Sequence, residues 1–160
     1  MKAFNEISHY DFENGRHGDI VREVQSMGKD YILKIDEQKF IEYLYQKYLL
    51  EPLQIFEDSE SFDTPRISKQ RINNEVYGRS SYEVDAYTFT IRYNYTGSEE
   101  LFRVHSNPWI IADYDINIDS IKQVVSFSFT IYKQDPEEFK RTKSQCFRSA
   151  FANLDHINRN

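Results

Sequence analysis

Apolar residues recur with two different periods along this chain, and the switch between them separates helical from sheet-forming parts. Residues 1–18 are mostly polar. Phe4, Ile7, Tyr10 and Phe12 are spaced as anchors of a short docking arm, and Asn14-Gly15 reads as a turn. From Asp19 to Met27 the apolar positions Ile20, Val21, Val24 and Met27 share one helical face, with Asp19 placed to cap the helix and Gly28 to end it. A short segment, Tyr31 to Ile35, leads to a clearer helix. Asp36 stands at its N-cap, Ile35 and Phe40 occupy the two positions of a hydrophobic staple, and Ile41, Leu44, Tyr45, Tyr48 and Leu49 continue the stripe. Pro52 bars its predecessor from helix, so the pattern predicts a helix over 37–50.

Beyond Pro52 the period falls to two. Leu53, Ile55 and Glu57 begin the alternation, and the polar stretch from Asp58 to Ser81 reads as an irregular edge strand and a long loop. Tyr82 to Tyr95 is the strongest strand. Tyr87, Phe89, Ile91, Tyr93 and Tyr95 lie on one face, with Val84, Ala86, Thr88, Thr90 and Arg92 on the other. Thr96-Gly97-Ser98 turns the chain, Leu101 to Val104 is a short apolar piece, and Asn107-Pro108 marks a second break. A hairpin of long strands is predicted next, 109–118 with 122–133. Ile110, Ala112, Tyr114, Ile116 and Ile118 line one face of the first strand, and Val125, Phe127, Phe129 and Ile131 one face of the second.

The last element is a long helix. Asp135 is its N-cap, Pro136 takes the first helical position and Glu138 the capping-box position. Phe139, Cys146, Phe147, Ala150, Leu154 and Ile157 form a stripe that reaches the last residues without a stop signal, so a longer chain cut at this point is expected. The elements add up to an α+β fold. A mainly antiparallel sheet carries two N-terminal helices and a long C-terminal helix packed on it, with 1–160 forming a single domain made of the 1–18 arm and a 19–160 module.

Composition sharpens this picture. The 160 residues include 12 Phe, 12 Tyr and only two Met, so aromatic and β-branched side chains must fill the core, which favours sheet. The net charge of −6 argues against a surface devoted to nucleic acid, though not against one basic face. The single cysteine, Cys146, excludes an internal disulfide and suits a reducing, cytoplasmic setting. The first fifteen residues hold no apolar run, so no signal peptide is expected, and no stretch is long and apolar enough to predict a membrane span.

Candidate chemistry is sparse. Asp113, Asp115, Asn117 and Asp119 resemble the start of a calcium loop, but the sixth and twelfth positions hold Ile118 and Val124 where glycine and a bidentate glutamate belong. A solvated strand face is the expectation. No two of His9, His17, His105 and His156 stand at a zinc-ligand spacing, and Cys146 lies on the inner stripe of the last helix. No phosphate-binding glycine loop or nucleophile–base motif is present, so no catalytic residue, metal or cofactor is predicted. Two surfaces are candidates for binding. Tyr87, Phe89, Tyr93 and Trp109 can line an aromatic pocket for a small ligand, and Arg66, Lys69, Arg71 and Arg79 can meet a nucleic-acid strand. Lys140, Arg141, Lys143 and Arg148 add basic charge to the last helix.

Three segments carry a resemblance: YILKIDEQKFIEYLYQKYLLEP at 31–52, YNYTGSEELFRV at 93–104, and the helix from Asp135 to the final HINRN. In this order they resemble the N-terminal region of a group of bacterial proteins. Those proteins carry a C-terminal domain similar to PD-(D/E)XK restriction-endonuclease-like nucleases. The chain departs from that pattern in the hairpin region, where a proline-rich stretch is reduced to Pro108. The resemblance implies a non-catalytic sensor, targeting or assembly domain of a nuclease-type, defence-related protein. Its partners would be the catalytic domain of the same protein and a second copy of itself. It assigns no functional residue here.

Overall fold

The computed structural model describes residues 1–74, 80–110 and 114–159. Helix α1 spans His9–Ser26, a single turn α2 covers Lys29–Ile32, and α3 spans Glu37–Tyr48. Strands β1 (Gln54–Phe62), β2 (Arg66–Asn74) and β3 (Ser80–Thr96) follow. A 3₁₀ helix at Glu99–Arg103 leads to β4 (Ile116–Asp119) and β5 (Val124–Ile131), and α4 (Pro136–Ala150) and α5 (Leu154–Ile157) end the chain. The architecture is α+β, with a wholly antiparallel sheet in the order β1-β3-β5-β4.

Strand β3 organises the sheet. On one side it pairs along Tyr87–Asn94 with β5. On the other side β1 occupies its C-terminal half and β2 its N-terminal half. The predicted alternation is the observed one: Ile91, Tyr93 and Tyr95 are buried together with Val125, Phe127, Phe129 and Ile131. Helix α4 covers this face. Phe139 packs on Phe89 at 4.7 Å, Phe129 at 5.5 Å and Phe62 at 5.6 Å between ring centroids. About two turns later Phe147 packs edge-on to Tyr93 at 5.1 Å. The opposite face is polar, with hydroxyl pairs Thr88–Thr130 and Thr90–Ser128 at 2.8 Å.

Four expectations need correction. Residues 1–18 are not an arm ending in a turn. Ala3 and Phe4 are each 1% exposed, and the main chain of Met1 and Ala3 hydrogen-bonds Ile116 and Tyr114 beside β4. From His9 the chain is helical through Gly15, because Ser8 caps the Asp11 N–H and the tertiary contacts of Phe12 and Arg16 outweigh the roughly 1 kcal/mol cost of a helical glycine. The polar stretch from Asp58 is not a long loop where it is described, residues 75–79 lying outside the described residues. It continues β1 and forms β2, whose register on β3 runs unbroken from Arg66–Thr88 to Asn74–Ser80. A strand polar on both faces gives no period-two signal, and here the long β3 provides the template.

Of the predicted strand 109–118, residues 111–113 lie outside the described residues, Trp109, Ile110 and Tyr114 are not in a strand, and β4 begins at Ile116. Asn107-Pro108 is a cis bond, and Trp109 turns aside to stack on His105 at 5.0 Å. Finally, the C-terminal stripe is not one helix. Helix α4 stops at Ala150, and buried Asn153 separates it from α5, so a helix running on without a stop no longer argues for a chain cut at this point.

Candidate binding cleft beneath the first helix

Once the helix starts at Ser8 rather than Asp19, six side chains fall on one face at three- and four-residue spacings: His9, Phe12, Glu13, Arg16, His17 and Ile20. They look onto a cleft of about 460 Å³. Its opposite wall is Leu50 and Pro52 from the α3–β1 link, Leu101 and Val104 around the 3₁₀ helix, and Ile157 and Asn158 from the C-terminal turn. The volume lies within the roughly 300–1,000 Å³ of small-ligand sites.

The floor is apolar and the polar groups form a rim. Arg16 donates to Glu100 Oε1 at 2.6 Å and to the Tyr48 carbonyl, and its guanidinium lies over the rings of Phe12 and Tyr48. His9 Nε2 stands 3.3 Å from Glu13 Oε1, while His9 Nδ1 is buried without a hydrogen-bond partner. Asn158 is fully engaged by the Leu53 main chain, accepting its N–H and donating to its carbonyl, both at 2.8 Å.

The cleft exists because of how α1 and α3 are joined. Neither helix contains a buried residue. Their link is polar: the Glu23 carboxylate accepts Tyr48 Oη at 2.6 Å, Lys47 Nζ at 2.7 Å and Tyr43 Oη at 3.0 Å. Lys47 and Tyr48 hold the Glu23 carboxyl below the usual carboxylate range, and Glu23 pushes Lys47 up in turn. A second apolar depression lies between these helices, lined by Ile41, Leu44, Tyr45 and Leu49, and it shares Ile20 and Leu50 with the cleft.

The residues singled out from sequence behave differently. Tyr87, Phe89, Tyr93 and Trp109 do not converge on a pocket. Phe89 and Tyr93 are packed solidly under Phe139 and Phe147, and Trp109 stands apart on His105. Tyr93 Oη donates to Glu60 Oε2 at 2.6 Å, and Lys143 Nζ bonds both Glu60 oxygens at 2.7 and 2.8 Å. Lys143, one of the basic residues of the last helix, therefore fastens α4 to β1. In the candidate nucleic-acid strip, Lys69 is paired with Asp85 at 2.6 Å, Arg71 faces Glu83 across the ladder and bonds Ser81, and Arg66 points to the other face. Arg79 lies outside the described residues.

The acidic row is likewise occupied where it is described. Asp115 pairs with Lys2 at 3.1 Å and Asp119 caps the Lys122 N–H at 3.1 Å, while Asp113 lies outside the described residues. Among the described residues no group of His, Cys, Asp and Glu side chains is placed to hold a metal ion, and no helix is long and apolar enough to cross a membrane. The sequence reading passed over Glu13 and Arg16 and weighed His9 and His17 only as zinc ligands. Ser8-x-x-Asp11 was the available start signal, and Asn14-Gly15 outweighed it.

Comparison of the chain with protein-family models, curated proteins and solved structures found no match.

Proposed function

We propose that this chain is a non-catalytic recognition module whose sensing element is the cleft beneath α1. One observation carries the reading: a concavity of about 460 Å³ with an apolar floor and a polar rim, set between a helix that buries no residue and a wall made by the α3–β1 link, the 3₁₀ helix and the C-terminal turn. Ligand sites combine an apolar bed with few polar groups in this way. In the bacterial nuclease-type proteins that the sequence resembles, such a module would act as the sensor of a larger assembly, and that is the role assigned to it here. The aromatic surface on β3 is set aside in favour of the cleft, because those rings already fill each other's space.

The test is a titration of isotope-labelled protein with a fragment library, followed by amide shifts. Ligand binding is expected to move resonances of residues 9–20, 50–53, 101–104 and 157–158 together. Shifts scattered over the surface, or none, would remove the cleft from consideration. The nuclease association is tested separately, by sequencing the reading frame beyond Asn160 and assaying the full product for DNA cleavage.

A further inference from the structure

We infer that the cleft takes an amphipathic cation, an apolar body bearing an ammonium head; this rests on the reading of the cleft as a ligand site. Most polar groups at the rim already have partners. The charge of Arg16 is already met by Glu100 at 2.6 Å, and the Asn158 amide is used on both sides by Leu53. Glu13 is different. Its carboxylate is 65% exposed, and its one partner among the described residues is His9 at 3.3 Å, through a single oxygen. Its second oxygen remains free to accept, and a ligand ammonium has donors and no acceptor.

The charge count points the same way. Beside the imidazoles, the rim carries two carboxylates, Glu13 and Glu100, against one guanidinium, Arg16. A ligand anion would have to displace Glu100 from Arg16 and face both carboxylates. A cation needs no protein ion pair to break. Behind the rim, Phe12, Ile20, Leu50, Leu101 and Val104 offer no polar partner, so the rest of the ligand must be apolar. The His17 side chain has no hydrogen bond or ion pair among the described residues and lines the same cleft.

The experiment uses the whole chain and three probes that share a phenyl ring and a four-carbon chain: 4-phenylbutylamine, 4-phenylbutanol and 4-phenylbutyrate, titrated separately at low salt with amide shifts as the readout. The amine is expected to bind tightest and the carboxylate weakest, with about a threefold to tenfold gap between them for a partly exposed charge contact. Added salt should narrow that gap. Glu13→Gln, at an exposed position, is expected to erase the advantage of the amine over the alcohol. A carboxylate that binds as well as the amine, or an unchanged amine preference in Glu13→Gln, overturns the charge assignment and leaves the cleft reading standing. If none of the three moves the cleft amides, the cleft reading falls and this inference with it.

Discussion

Replacing Asn153 with alanine should unlatch the 105–110 segment from the C-terminal turn. Asn153 is 0% exposed, and its amide makes three contacts across the chain. Oδ1 accepts the Ile110 N–H at 2.8 Å and lies 2.9 Å from Ser106 Oγ, while Nδ2 donates to the Ile110 carbonyl at 2.8 Å. Ser106 keeps a second partner in the Pro108 carbonyl at 2.8 Å, and Ile110 is 45% exposed, so water can reach much of what alanine releases. The loss is therefore closer to the net value of three hydrogen bonds, about 0.5–1.5 kcal/mol each, than to three orphaned groups. With a modest term for the unfilled volume, about 2–4 kcal/mol is expected. Urea denaturation followed by circular dichroism measures it. Trp109, the one tryptophan, adds a local probe, since it stacks on His105 inside the tethered segment and its emission should shift red in the folded variant. Asn153→Asp, which keeps the acceptor but buries a charge, should be no better than alanine. A loss below about 1 kcal/mol, with unchanged emission, would refute the latch.

Gly97 has φ 99°, and a Cβ there would overlap the Pro52 carbonyl oxygen, so Gly97→Ala is expected to lose about 2–4 kcal/mol by thermal or chemical unfolding. Lys143→Met should destabilise the protein by leaving the Glu60 carboxylate, 26% exposed, without its cation, a loss that urea midpoints will show. Burial opposes ionisation of Glu60, but the Lys143 and Tyr93 hydrogen bonds outweigh it and depress its pKa. A depressed carboxyl stabilises the fold above its unfolded pKa and loses that contribution as pH falls through the folded value, so Glu60→Gln should flatten the dependence of melting temperature on pH on the acid side of about 4.3. At the other end, burial raises Tyr93 and Tyr114, and pushes Tyr95 up to about 12 with help from Glu99. Their contribution is complete below the unfolded value of about 10 and disappears as pH rises, so alkaline melting curves should fall above that point, with delayed tyrosinate absorbance that Tyr95→Phe reduces.

The sheet and α4 were legible because each carries an uninterrupted apolar alternation or stripe: Tyr87 to Tyr95, Val125 to Ile131, and Phe139 with Phe147 all face the interior as their spacing requires. Caps were legible for the same local reason, Asp36 accepting the Lys39 N–H and Asp135 the Glu137 N–H. What escaped depends on partners distant in sequence. Strand β2 has no apolar face and exists by hydrogen bonding to β3. Phe4, with φ 53° and 1% exposure, is held by a bond from its N–H to the Phe102 carbonyl at 2.6 Å, nearly a hundred residues away. The cleft escaped because its polar face reads as solvated surface until α1 is extended to His9. Asn153 escaped because an asparagine inside an apparent helix gives no sign of the loop it holds.

The two halves of the molecule are stabilised by different means, and the position of the cleft follows from that difference. Under α4 the contacts are aromatic, and the ionic clasp of Glu60 with Lys143 and Tyr93 closes over rings that already touch. Apolar packing of this kind fills space, since any gap forfeits dispersion contacts. The α1–α3 layer is joined instead by directional bonds at long side-chain tips: Glu23 to Lys47, Tyr43 and Tyr48, and Arg16 to Glu100. Such bonds fix distance and angle without requiring that the space behind them be filled. With polar tips at these joints, α1 leaves an apolar recess beside Phe12, which packs against the core, and Ile41, Tyr45 and Leu49 of α3 stay exposed along the depression between the two helices. Ordinary core packing between α1 and the 3₁₀ helix would have erased the recess. Its presence therefore follows from polar side chains at the joints of α1, Glu23 toward α3 and Arg16 toward the 3₁₀ helix.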